Sequence, residues 1–266
     1  MNSISQILQE KRKKSTSALI PFVTAGYPNI NMTKQILYTL DKKGADIIEL
    51  GVPYSDSLAD GPLIQKSSKV ALEQGVYINQ VLSILSEVQF KLKAPIIIFT
   101  YYNPILVRGT NRFISEISQL GIKGLVIPDL PIEETEYITH LCILFNIELI
   151  LFIAPTSSKD RVCNILSKAP GCVYLVSNTG VTGIRHQVSN NIDILSSYIK
   201  SYTSKLVMLG FGISTSSQVS QISQWNIDGI VVGSAFIRIL SSNLSSEEKL
   251  ENLGSFCMEM KSSIVF

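Results

Sequence analysis

Eight short runs of consecutive apolar residues punctuate this chain, and they constrain its fold more than any other feature. They read "ALIPFVT", "DIIELG", "PIIIFTY", "GLVIPD", "IELILFI", "CVYLVS", "KLVMLGFG" and "DGIVVG". Each is apolar nearly throughout, where a half-exposed strand would alternate polar and apolar positions, so each predicts a strand covered on both faces. Between them lie stretches with helical spacing, among them "TKQILYTLDKKG", "RFISEISQLG", "EETEYITHLCILF" and "SSQVSQISQW". Alternation of this kind predicts a parallel sheet, and eight strands is the number that closes such a sheet into a (β/α)8, or TIM, barrel. An open doubly wound sheet is the alternative. Its G-x-G-x-x-G turn after the first strand is missing, since "VTAGYPN" offers one glycine, and the glycine-rich turns follow the seventh and eighth strands instead.

With 266 residues, 45% of them hydrophobic and 17% charged, the chain has ample material for one large core. No Pro/Gly/Ser-rich linker or internal repeat beyond the β/α unit divides it, so residues 1–266 read as a single barrel domain, with an extra N-terminal helix packed across the barrel floor. Net charge is +2, and the one basic cluster, "EKRKK", reads as a solvated helix face. Nothing suggests a nucleic-acid partner. Four cysteines without C-x-x-C spacing and two histidines give no zinc set and no expected metal. The first residues lack an uninterrupted apolar stretch, so neither a secretory signal nor a membrane span is expected.

Two long connections leave the carboxyl ends of strands, where barrels keep their chemistry: "ELGVPYSDSLADGP" after the second and "NTGVTGIRHQVSN" after the sixth. In "ADIIELG" a period of two puts Ile47 and Glu49 on the barrel side. A carboxylate among apolar neighbours is poorly hydrated, and its raised pKa suits proton transfer near neutrality. A lone strand-end glutamate more often pairs with a lysine or caps a helix; the inward-facing position at a barrel mouth reverses that and favours the catalytic reading. Asp56 reads as turn chemistry. Asp60 lies where its loop can fold over the mouth and set a second carboxylate beside Glu49, which allows one group to move protons while the other stays ionised.

"GFGIS" and "GSAFI" each place glycine before a helix start, a backbone arrangement that binds phosphate without lysine or arginine. Ser214 and Ser234 could donate hydroxyls there or equally cap the helices. Tyr102, Tyr174, Phe22 and Phe211 would wall a pocket for a flat aromatic group.

Taken together, "ELGVPYSDSLADGPLIQ", "VIPDLPIEE", "YLVSNTGVTGIR", "GFGIS" and "VVGSAF" resemble, in order and over essentially the whole chain, the tryptophan synthase alpha subunit family. The resemblance implies a lyase that cleaves indole-3-glycerol phosphate to indole and glyceraldehyde 3-phosphate with no cofactor of its own. It also implies a beta-subunit partner in an alpha2-beta2 tetramer, with pyridoxal phosphate in the beta subunit, and a location in the cytoplasm or plastid stroma. Position by position it makes Glu49 the general acid/base and Asp60 its partner carboxylate. Phe22, Tyr102 and Phe211 become the indole pocket, Tyr174 a site tyrosine, Thr182 and Gly183 the lid, and Gly212, Ile213, Gly233 and Ser234 the phosphate cradle. One departure is visible: many members have proline where this chain has Ser57, on the loop that touches the partner. A stand-alone lyase, a phosphosugar isomerase and a catalytically weak activator of the partner are the competing readings.

Overall fold

A computed structural model describes residues 3–176 and 190–264. Its eight strands are β1 (Ala18–Thr24), β2 (Ile48–Gly51), β3 (Ile96–Phe99), β4 (Gly124–Val126), β5 (Glu148–Ile153), β6 (Val173–Val176), β7 (Val207–Gly210) and β8 (Gly229–Val232). They pair in parallel, each with its sequence neighbour, and β1 closes on β8. The closed barrel expected from the eight apolar runs is what forms, and closure explains why those runs lack a polar face: one side packs in the barrel, the other under helices. Every β1 residue is buried.

The helices are α1 (Ser3–Lys13), α2 (Ile30–Lys42), α3 (Pro62–Glu73), α4 (Ile78–Val88), α5 (Tyr102–Arg108), α6 (Thr110–Gln119), α7 (Thr135–Leu144), α8 (Lys159–Lys168), α9 (Asn190–Tyr202), α10 (Ser216–Ser223), α11 (Ser234–Leu240) and α12 (Ser246–Ser262). Their starts follow local chemistry. Pro62 opens α3, where its missing N–H costs nothing, and Ser158 caps α8 by accepting from the Arg161 amide. Thr215 and Ser245 build reciprocal capping boxes with Gln218 and Glu248. Ser214 and Ser234 are not caps. Ser214 precedes Thr215 and donates to the Gln218 side chain, while Ser234 is the first residue of α11 behind Gly233.

Helix α1 lies across the end of the barrel from which the strands start. Its Ile4 and Leu8 are fully buried, and they reach the strands where Gly124 and Gly229 carry no side chain. Three carboxylates at that end hold the surrounding elements. Glu148 accepts from the amide and hydroxyl of Ser5 and from the Cys172 amide, at 3.1, 2.5 and 2.7 Å. Asp46 pairs with Lys11 and Lys261, and Asp228 with Lys200 and, at 3.8 Å, Arg12. Among the described residues no helix is long and apolar enough to cross a membrane, and no cluster of three His, Cys, Asp or Glu side chains could hold a metal ion.

Candidate active site

The opposite end, where the strands finish, holds a cavity of about 30 Å³, with Glu49, Asp60, Phe22, Tyr174 and Phe211 in its walls. Glu49 arrives on β2, side by side with Phe22 of β1 and Ile97 of β3, so a rigid parallel ladder fixes where its carboxyl points. Gly51, two residues on, is required by packing: a Cβ there would stand 2.6 Å from Cζ of the Phe22 ring. Glu49 is 1% exposed, and its Oε1 finds no hydrogen-bond partner among the described residues. Burial, reinforced by the nearby charge of Asp60, pushes its pKa up to about 8. An unpartnered buried carboxyl is costly, and proteins retain such groups where chemistry uses them.

Asp60 comes from the loop that follows. The loop is braced from within, by Leu58 N–H to the Asp56 carbonyl and Asp60 N–H to the Ser57 carbonyl. It is braced from outside by Tyr101, whose hydroxyl accepts from the Ala59 amide and donates to Asp60 Oδ2, both at 3.1 Å. Asp60 is 4% exposed; burial lifts its pKa to about 7, and the Tyr101 hydrogen bond opposes that rise. Asp56 sits exposed at the loop's turn with Ser55 donating to it, as turn chemistry predicts.

The tyrosine that holds Asp60 is therefore Tyr101, from behind the cavity wall. Tyr102 opens α5 with its amide donating to Asp129 and its hydroxyl 3.4 Å from Glu134, and it is not among the residues lining the cavity. The distinction rests on strand register: Glu49 pairs with Ile97, so Ile97, Phe99 and Tyr101 share the inward parity of Glu49, and Tyr102 does not. Phe99, Ile64 and Val231, which sequence reasoning did not select, complete the apolar wall.

Tyr174, fully buried on β6, has its hydroxyl pKa raised well above the ordinary value by burial and then by Glu49 and Asp60. Its ring fits because residue 210 is glycine; a Cβ there would fall 2.1 Å from the hydroxyl oxygen. Phe211 packs edge-on against Tyr174, with ring centroids 5.8 Å apart, and holds a left-handed backbone, φ 72°, followed by Gly212 at φ 84°. Two successive left-handed residues turn the chain out of β7 and set Gly212 at the cavity wall. Gly233 caps α11 without a side-chain bond, leaving first-turn amides near the cavity, which Gly233 and Ser234 line. Ile213 is buried beside this turn and does not line the cavity. Thr182 and Gly183 lie outside the described residues. Glu49 and Asp60 are the only charged side chains that line the cavity among the described residues, so an anion seated there would be held by backbone amides.

Known proteins are similar to this chain over its whole length. The family model for the tryptophan synthase alpha chain matches residues 8–265. The tryptophan synthase alpha chain of Gracilaria tenuistipitata var. liui is 59% identical over 264 residues, covering 99% of this chain and 97% of its own. That of Pyropia yezoensis is 53% identical over the full length of both. Among solved structures, tryptophan synthase of Mycobacterium tuberculosis superposes with a TM-score of 0.90 at 30% identity, covering 98% of this chain and 97% of that one. The tryptophan synthase subunit alpha of Legionella pneumophila gives 0.89 at 28%, covering 99% and 98%. A full-length match in sequence, joined to a closed barrel with two buried carboxyls at its mouth, leaves one assignment: the chain belongs to the tryptophan synthase alpha chain family.

Proposed function

We propose that the mouth cavity carries out the lyase half-reaction of tryptophan synthesis, cleaving indole-3-glycerol phosphate, with Glu49 as general acid/base and Asp60 as the ionised partner. The observation that carries this reading is Glu49 itself, a buried carboxyl whose Oε1 has no hydrogen-bond partner among the described residues, held rigidly beside a second carboxyl.

Cleavage requires a proton at indole C3, which makes the ring nitrogen cationic, then removal of the proton from the hydroxyl next to C3. The bond between C3 and that carbon breaks, its electron pair returns to the indole ring, and the carbon leaves as an aldehyde. With a pKa of about 8, Glu49 is protonated at neutrality and supplies the first proton; as carboxylate it takes the hydroxyl proton and is restored. Asp60, with the lower pKa of about 7 and the Tyr101 hydroxyl supporting its charge, opposes the cation. Phe22, Phe211 and Tyr174 match a flat ring, and the amides at Gly212, Gly233 and Ser234 match a phosphate.

The reaction needs no cofactor in this chain. Pyridoxal phosphate belongs in this reading to a beta subunit, seated over the mouth in an alpha2-beta2 assembly. A groove of about 630 Å³ runs beside the mouth between Pro53, Tyr54, Tyr77 and Pro104, and Leu58 and Val107 stand 83% and 81% exposed nearby, apolar surface of the kind a partner covers. The test is an indole-release assay on the purified chain with and without a competent beta subunit. Release accelerated by the beta subunit and abolished in Glu49→Gln supports the reading; release indifferent to the partner favours a stand-alone lyase.

A further inference from the structure

A second cavity, of about 240 Å³, opens at the floor of the barrel, at the opposite end from Glu49, between the C-terminus of α1, the last turn of α9 and the turn entering β8. Its charged side chains are Arg12, Lys200 and Asp228, two cations against one carboxylate. That carboxylate is engaged through Oδ2, by the Lys200 ammonium at 2.5 Å and the Val207 amide at 2.7 Å, while its Oδ1 faces Arg12. The donors are not used up. Arg12 meets Asp228 only at 3.8 Å and is 44% exposed, which leaves most of its guanidinium free. Lys200 spends its ammonium on Asp228 and the Lys205 carbonyl, two of three N–H groups. Ser15, Thr16 and Trp225 also line the cavity, and their side-chain donors make no hydrogen bond to any described residue.

A pocket with spare donors and one net positive charge is complementary to a small anion that brings its own acceptors. We propose that this floor cavity is a binding site for a compact oxyanion, a carboxylate or a phosphate monoanion, held by the Arg12 guanidinium and the α1–β1 turn and walled on one side by Trp225. The site is separate from the mouth and does not depend on the lyase assignment.

Trp225 is the sole tryptophan of the chain, so fluorescence excited at the red edge of indole absorption reads this cavity directly. The full chain is titrated with sodium phosphate and, separately, sodium acetate, with sodium chloride holding ionic strength constant. Wild type should give a saturable change with at least one of the two anions, and the stronger of the two identifies the class. Arg12→Gln, which leaves the Lys200–Asp228 pair in place, should weaken that response about tenfold or more, the loss of one charge-assisted contact. Thr16→Val, which alters no charge, should weaken it a few-fold. Gly233→Asp, which blocks the anion cradle at the mouth, should leave it intact, and Arg12→Gln should keep wild-type lyase activity. The proposal is overturned by a response no larger than that of chloride, by equal affinity in Arg12→Gln and wild type, or by loss of the response in Gly233→Asp.

Discussion

Glu49 and Asp60 are stabilised as acids, and this has a measurable cost at alkaline pH. Both folded pKa values, about 8 and about 7, lie above the ordinary 4.5 and 3.8. The folded chain therefore binds protons that the unfolded chain has released. The stability these groups support is present in full below their unfolded pKa values and is lost as pH rises through 7 and 8. Glu49→Gln, which cannot ionise, should match wild type in urea denaturation at pH 4 and exceed it at pH 8.5, while its lyase rate falls by roughly 10²–10⁴-fold. A variant with wild-type alkaline sensitivity and near-native turnover would remove Glu49 from the role. Since Asp60 must be ionised and Glu49 protonated for the first proton transfer, kcat/KM should follow a bell with limbs near 7 and 8, belonging to the pair and not to either group alone. Tyr101→Phe should move the acidic limb upward by withdrawing the hydrogen bond that favours ionised Asp60. An unmoved limb would make Tyr101 a brace for Ala59 only.

The elements were legible in the sequence to different degrees, and the reason is physical. All eight strands and the start of α3 at Pro62 could be read from local pattern, because a strand covered on both faces has no polar positions and proline has few places to stand. Glu49 and Asp60 were legible for a related reason: one ends an inward strand and the other lies on the loop that follows. The identity of the third polar partner was not, because choosing Tyr101 over Tyr102 needs the register between β2 and β3, a long-range fact. The apolar wall from Ile64 and Val231 was equally hidden, since in sequence they look like any core residue. The loop from Val52 to Pro62 is where element and function meet. Ser57 is buried, its carbonyl accepting from Asp60 N–H and the Gln65 side chain. Proline at 57 would keep that carbonyl and fix φ, so Ser57→Pro should reduce the conformers open to the loop when its bracing bonds are broken. Activation by the beta subunit should change more than the basal lyase rate. Gly233→Asp should weaken substrate and glycerol phosphate alike in calorimetric titrations while sparing free indole; unchanged phosphate-ligand affinity would place the phosphate elsewhere.

At the scale of the whole molecule, the two ends of the barrel divide the work. At the mouth Glu49 Oε1 has no hydrogen-bond partner among the described residues; at the floor Asp46, Glu148 and Asp228 are each held by amides or cations. Glu148→Ala should cost about 3 kcal/mol or more in urea unfolding, because it strands the Ser5 and Cys172 donors in the interior, and it should leave the KM for substrate nearly unchanged. A loss of substrate affinity comparable to the loss of stability would mean that the floor shapes the mouth. Helix α1, pressed into the strand starts by Ile4 and Leu8, makes the barrel a stoppered cup and not a pipe. A molecule released inside a cup can leave only over the rim by which its precursor came in. Whatever is seated on that rim then decides both how long the next precursor waits and where the released molecule goes, so traffic in the two directions shares one doorway.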